Sequence, residues 1–328
     1  MDAIRDFRPA DYPGLVLLRN AVDPDSPVSE AELRHSDDTR DMKFFLQRWI
    51  WEEGGQVLGA ASLSHMDWMY HPDRYHGSVH VLPAARGRGI GGALYATVVA
   101  AAQARGAQSL RTQVKESWQE GLRFLAARGY VAGNRELESS LDLTGFDPTR
   151  FTGAEAKAAA AGLRLLSYAE LADDAERDRK LWEFDAVVGA DMPMPEPYTV
   201  TPFEVFQRKY LRHPHFYAEG FFVAVAADGL YAGLSMLQHS NVPGRLMTGF
   251  TGVRREWRGR GVATGLKVKV LSTAKAAGYR EARTGNDSTN DGMLGINRRL
   301  GFVPLPAWID FQLAPLPAAA DSAWRREA

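Results

Sequence analysis

Two stretches decide the reading of this chain: VLPAARGRGIGGAL, from Val81 to Leu94, and VRREWRGRGVATGL, from Val253 to Leu266. Arg86 and Arg258 stand 172 residues apart, and the same residue types recur around them at that one offset. Gly89 pairs with Gly261, Gly91 with Ala263, Leu94 with Leu266 and Gly106 with Gly278. Gly129-Tyr130-Val131 answers to Gly301-Phe302-Val303, and no gap is needed anywhere between Val81 and Val131. Self-similarity over such a length marks one domain present twice.

Working outward, each copy reads as alternating strands and helices, which points to an α/β or α+β domain with a mixed central sheet flanked by helices. Early strands are expected at Ile4–Arg8 and Leu163–Ser167, with helical stretches after them around Glu30–Trp51 and Asp173–Arg212. Hairpin-like strands follow at Gln56–Leu63 and Phe221–Leu237. After each glycine loop, Leu94, Val98 and Ala102, and then Leu266, Val270 and Ala274, recur at helical spacing. Strands near Leu137–Leu143 and Trp308–Leu313 should close the two copies. The expected organisation is an N-terminal domain over 1–145, a linker over 146–161, a C-terminal domain over 162–315 and a tail over 316–328.

Composition narrows the function. The chain has 328 residues, 45% of them hydrophobic, enough to core two domains. Its 39 Lys and Arg against 40 Asp and Glu leave a net charge of −1, so the basic footprint of a nucleic-acid binder is missing. There is no cysteine, which excludes disulfides, thiolate metal sites and an acyl-cysteine intermediate. The start, MDAIRDFRP, lacks a signal-peptide apolar run, and Ala93–Ala104 is too short for a membrane span. A cytoplasmic protein, monomeric or homodimeric, with no nucleic-acid or membrane partner is expected.

Arg-Gly-Arg-Gly between a strand and a helix suits an anion: glycines let the backbone approach a ligand, and the first N–H groups of the helix form a nest for phosphate. Gly87, Gly89 and Gly92 also satisfy G-x-G-x-x-G, yet a dinucleotide loop belongs after the first strand of its unit, and these loops come late. The second copy breaks the spacing with Gly259, Gly261 and Gly265.

Both loops fit R-x-x-G-x-G/A, and with it the chain resembles the Gcn5-related N-acetyltransferases, the GNAT superfamily, over both halves (roughly 1–145 and 160–315). Two such domains in tandem also occur in mycothiol synthase. The resemblance implies acetyl-CoA as cofactor, its pyrophosphate on Arg86, Gly87, Arg88, Gly89, Ile90, Gly91 and Gly92 in one copy. In the other it implies Arg258, Gly259, Arg260, Gly261, Val262 and Ala263. Val81 and Val253 would pair with pantetheine on a strand splayed from its neighbour. Asn290 fills a cofactor-contacting position that is Trp118 in the first copy. The family's proton-donating Tyr is replaced by Asn297 and Leu125, and its frequent general-base Glu by Tyr75 and Met247.

Four histidines, His65, His71, His76 and His80, lie close in sequence, but His76 and His80 on one strand face stand about 13 Å apart at ~3.3 Å per residue, too far for one ion. No metal site is expected. His80, one residue before Val81, is a candidate base, or else a half-buried strand histidine. The segment from Ala190 to Tyr217 offers Asp191, Glu196, Tyr198 and Phe203 as candidate acceptor-binding residues, and equally as an interface between the halves. The expected function is transfer of an acetyl group from acetyl-CoA to a primary amine of a small molecule or a protein. Transfer is direct, in a ternary complex, because no Cys or G-x-S-x-G elbow exists to hold the acyl group. His80, Asp191 and Asn297 are the candidate catalytic residues. A non-catalytic acyl-CoA-binding or regulatory protein is the alternative. Because the second copy keeps Asn290 and owns the aromatic segment, it is expected to carry the chemistry.

Overall fold

A computed structural model describes residues 4–192 and 194–316. In chain order its first elements are β1 (Ile4–Asp6), α1 (Tyr12–Val22), α2 (Glu30–Asp38), β2 (Leu46–Glu53), β3 (Gln56–Ser64) and β4 (Arg74–Val81). Next come α3 (Ile90–Ala104), β5 (Ser109–Lys115), α4 (Gln119–Ala126), β6 (Val131–Asp142), α5 (Gly153–Ala160) and β7 (Arg164–Ser167). Then follow α6 (Arg177–Gly189), α7 (Phe203–Phe206), β8 (Phe216–Val225), β9 (Tyr231–His239) and β10 (Arg245–Val253). The chain closes with α8 (Val262–Ala276), β11 (Glu281–Asp287), α9 (Asp291–Leu300), β12 (Val303–Pro304) and β13 (Trp308–Leu313).

The chain divides into two compact units: Met1–Arg135 with Pro195–Thr199 and Ala307–Ala328, and Glu136–Met194 with Val200–Pro306. The first unit holds a mixed sheet in the order β1-β2-β3-β4-β5-β13, antiparallel except for β4 against β5. The second repeats it as β7-β8-β9-β10-β11-β6, with β10 parallel to β11. Each is an α/β domain of the class expected from the sequence.

The helical spacing after each loop explains the packing. Leu94, Val98 and Ala102 of α3 bury against Leu63, Tyr75 and Leu110 on one face of the first sheet. Leu266, Val270 and Ala274 of α8 do the same against Leu237, Leu246 and Ala282. On the opposite faces, α1 sets Leu15 and Leu18 over Ile50 and Ala60, and α6 sets Leu181, Phe184 and Val188 over Val223 and Leu234.

Several expectations about organisation need correction. Leu137–Leu143 does not close the first copy: Glu136–Asp142 of β6 pairs antiparallel with β11 in the second unit. Conversely Trp308–Leu313 pairs with β5 in the first unit, from Trp308 opposite Lys115 to Leu313 opposite Leu110. The copies exchange last strands, so the boundaries at 145 and 315 cut across both units. The stretch 146–161 does form the short helix its alanines favour, α5, but it is more than a linker, since buried Ala154 and Ala158 pack into the core around α8. Within Glu30–Trp51, α2 stops at Asp38 and Leu46 onward is strand, because the aromatics Trp49 and Trp51 flanking Ile50 favour the pleat. Apart from Leu316, the expected tail lies outside the described residues.

Candidate functional site

In the first unit the parallel pairing of β4 and β5 runs through Arg74–Ser109, Tyr75–Leu110 and His76–Arg111, and then stops. From Gly77 to Val81, β4 stays paired only with β3, at Leu63 to Gly59. The second unit does the same: β10 pairs with β11 at Arg245, Leu246 and Met247 and not beyond. Each sheet thus opens a V between two parallel strands, leaving backbone N–H and C=O groups of β4 and β10 turned toward the gap. Tyr75 and Met247, in the place of the family's base, sit in the paired part below the opening.

At the mouth of each V stands a glycine loop. Gly87 and Gly89 have φ of 75° and 79°, and Gly259 and Gly261 have 73° and 80°. That left-handed backbone is what glycine tolerates and other residues do not, and Gly89 and Gly261 are the N-caps of α3 and α8. The unpaired N–H groups of the first helical turn, with the positive end of the helix dipole, make each loop suited to a phosphate. A Cβ on Gly87 or Gly259 would meet nothing within 4 Å. In both units the loop arginine ties back to the strand end, Arg86 Nε donating to the Val81 carbonyl at 3.4 Å and Arg258 Nε to the Val253 carbonyl at 2.8 Å.

Around this shared frame the two sites differ. In the first, Arg86 and Arg88 pair with Glu120 and Glu53, exposed surface carboxylates. Gly91 lies 3.6–3.8 Å from Val81 and Phe124, measured from where its Cβ would stand, which keeps α3 close to α4. In the second, Arg258 donates to Asp191 at 2.6 Å, and Arg255 binds the same carboxylate. The aliphatic stem of Lys157 on α5 lies 3.1 Å from where a Gly261 Cβ would stand. Arg260 sits over the Trp257 ring at 5.2 Å.

The sheet faces opposite α3 and α8 differ more. His76, Ser78 and His80 share that face of β4; Ser78 bonds Ser62 at 2.7 Å. Burial, with the Arg19 guanidinium next and then His76, pushes His80 down to about 4, so its imidazole is neutral at physiological pH. Burial alone brings His76 to about 4. On β10 a bulge between Thr248 and Phe250 turns Phe250 to this face. There a Cβ on Gly252 would lie 2.6 Å from Phe250 and 2.7 Å from Val188. The second unit's face is filled with apolar side chains where the first presents imidazoles.

The remaining expected residues have different surroundings. Asp191 is no free base: its hydrogen bonds from Arg255 lead the interactions, with Arg258, that hold its carboxyl below the usual range. Glu196 belongs to the first unit, where Arg74 and Arg111 both bind it, and Thr199 bonds Tyr70 and Trp68 nearby. Phe203 belongs to the second unit, against Trp182. Asp191 and Phe203 thus fall in the second unit and Glu196 in the first, with Tyr198 half-buried in the same segment as Glu196. Asn290 caps α9, its Oδ1 accepting from Met293 N–H at 3.1 Å. Trp118 packs on Trp308, ring centroids 5.2 Å apart. Asn297, 3% exposed, donates to Asn286 at 2.7 Å and leaves its Oδ1 buried without a partner. Arg19 and Lys267 were missed. Arg19 had no motif around it, and Lys267 sits on the inner stripe of α8, 2% exposed, where helical spacing predicts an apolar residue.

Two mixed sheets, each split beside a glycine-capped helix, define a pair of acyltransferase-type folds. The sequence profile of the acetyltransferase (GNAT) family matches residues 2–130 and 184–302, and the chain belongs to that family. No protein of curated function matches the sequence. Among solved structures, a GCN5-related N-acetyltransferase from Sphaerobacter thermophilus is 21% identical with a TM-score of 0.68, over 97% of this chain and 98% of that one. A tandem GNAT protein from the clavulanic acid biosynthesis pathway is 20% identical with a TM-score of 0.73, over 96% and 99%. A glucosamine N-acetyltransferase region of a fungal multi-domain enzyme is 13% identical with a TM-score of 0.70, over 94% and 38%. These likenesses support the tandem fold. No helix of the described residues is long and apolar enough to cross a membrane.

Proposed function

We propose that the chain is an N-acyltransferase that moves an acetyl group from acetyl-CoA to a primary amine, and that the first unit does the chemistry. The observation that carries this reading is the opening of β4 from β5 beyond His76, leading from His80 and Val81 into the glycine loop at Gly87 and Gly89. Acetyl-CoA supplies an activated thioester for direct attack by the amine in a ternary complex. The loop from Arg86 to Gly92 holds its pyrophosphate through N–H groups at the start of α3, and the free edge of β4 around Val81 orients pantetheine. N–H groups on that edge polarise the acyl carbonyl. His80, neutral and one residue from Val81, accepts the proton that the amine gives up.

This reverses the expectation that the second half is the active one. There the loop arginine is taken by Asp191, and the face over Gly252 is filled by Val188 and Phe250. The second unit therefore acts as a structural or silent cofactor site. The test is release of free thiol from acetyl-CoA over a broad amine panel. His80→Gln should lower kcat by at least tenfold with little change in acetyl-CoA binding. Full activity of His80→Gln removes the imidazole from the mechanism, and no thiol release with any amine leaves the non-catalytic binding reading.

A further inference from the structure

The face of the first sheet that bears His76, Ser78 and His80 also carries a cation that the acyl-donor cradle does not use. Helix α1 crosses this face with Leu15 and Leu18 over Ile50 and Ala60, Ala60 lies opposite His80 across β3 and β4, and the Arg19 guanidinium of the same helix disfavours protonation of His80. The Arg19 side chain reaches solvent yet is crowded by protein, which lowers its own proton affinity; Arg48 adds to this, and Glu32 and Asp23 oppose it from a distance. Among the described residues, no hydrogen bond or ion pair holds it. The other cations of the face are partnered: Lys115 binds Asp23 at 2.8 Å, Arg48 binds Asp37, and Arg74 and Arg111 share Glu196. One guanidinium is left open beside a neutral imidazole at the opening of the V.

Resting on the transfer reading above, we infer that the acceptor in the first unit is a small primary amine that also carries an oxyanion, carboxylate or phosphate, which Arg19 binds while the amine faces His80. The planar fork of a guanidinium matches such groups with two parallel hydrogen bonds. A purely cationic acceptor, such as a polyamine, meets an uncompensated positive charge there and is disfavoured. An amine with an attached anion brings the missing counter-charge. The second unit offers no such pairing, since Val188 and Phe250 occupy the corresponding face.

The experiment compares matched acceptors: amino acids with their carboxamides, and aminoalkyl phosphates with the parent amino alcohols, by thiol release from acetyl-CoA. The anion-bearing member of at least one pair should lead by about tenfold or more. Arg19→Met should lower its kcat/KM by about 10- to 100-fold, the range of a hydrogen-bonded charge pair, and change the neutral member less than twofold. Arg19→Lys should keep part of the preference, which a mere packing defect would not allow. Whichever arm responds names the oxyanion. Equal turnover of both members in the unaltered protein, or equal loss on both in Arg19→Met, overturns the inference. Should no amine be acylated, the transfer reading fails. The anion site is then judged by calorimetry of the same compounds against the protein loaded with coenzyme A. Binding of the anionic members that Arg19→Met abolishes upholds it, and absence of any difference refutes it.

Discussion

Gly89→Glu and Gly261→Glu separate the two sites and test the assignment of the chemistry. Both glycines cap their helices in the left-handed region, with φ of 79° and 80°, so any side chain there costs roughly 1–2 kcal/mol of strain. Glutamate adds a carboxylate where phosphate should sit; at about 4 Å and an effective dielectric near 20, like unit charges repel by about 4 kcal/mol. That corresponds to about a thousandfold loss of affinity or of kcat/KM. Gly89→Ala and Gly261→Ala carry the strain without the charge and calibrate it. Calorimetry with coenzyme A and thiol release on the best acceptor are the assays, with thermal unfolding to confirm the fold. Gly89→Glu should abolish activity while Gly89→Ala keeps most of it, and Gly261→Glu should leave turnover nearly intact. Loss from Gly261→Glu with Gly89→Glu still active would return the chemistry to the second unit. Normal binding in both would refute the loop assignment itself.

Asp191→Asn frees Arg258 and Arg255 from their shared carboxylate, so coenzyme A should bind the second loop more tightly, seen by calorimetry as a strengthened or additional site. Lys267 is fully buried and burial lowers it to about 8 from the ordinary 10.5, so its charge opposes folding. The full penalty, on the order of 3 kcal/mol, applies below pH 8, where folded and unfolded chains are both protonated. It is relieved as pH rises toward 10.5, since only the unfolded chain then holds the proton. Lys267→Met should raise Tm by several degrees at pH 7 and remove that rise of stability in alkali. Glu281 is held at about 2 because Arg283, Arg245 and Ser140 outweigh its burial. Its contribution is complete above pH 4.5 and fades as pH falls toward 2, so Glu281→Gln should flatten the stability profile in acid denaturation.

How much of this could be read beforehand depends on the range of the interactions concerned. The glycine loops and the stripes on α3 and α8 are local, so spacing alone exposes them. The filled face of the second unit was not legible. It needs a bulge at Gly249 and an α6 valine above Gly252, residues separated by more than sixty positions in the chain. Asp191 was singled out for its charge, and charge alone does not say whether the partner is a substrate amine or the loop's own Arg258. The parting of β4 from β5 after His76 was foreseeable only through the family resemblance, because nothing in Gly77–Val81 itself forbids a longer ladder.

The exchange of last strands follows from the repeat and limits how it can be probed. Copies of one domain offer equivalent edges: β5 and β11 each need an antiparallel neighbour, and β6 and β13 each supply one. Side-chain alternation cannot choose between equivalent edges, since both present the same pleat and the same buried face. The choice is made by connection, where β6 continues toward α5 and the second core, so that Leu141 and Leu143 bury beside Leu163 and Phe302. The first sheet is then complete only when Trp308–Leu313 has been made, with Phe311 and Leu313 entering its core. A fragment ending near residue 145 lacks both β13 and β11, so its β6 is free to close on β5, a pairing that the full chain does not have. Point changes in the full chain, not isolated halves, are therefore the sound way to ask which copy does the chemistry.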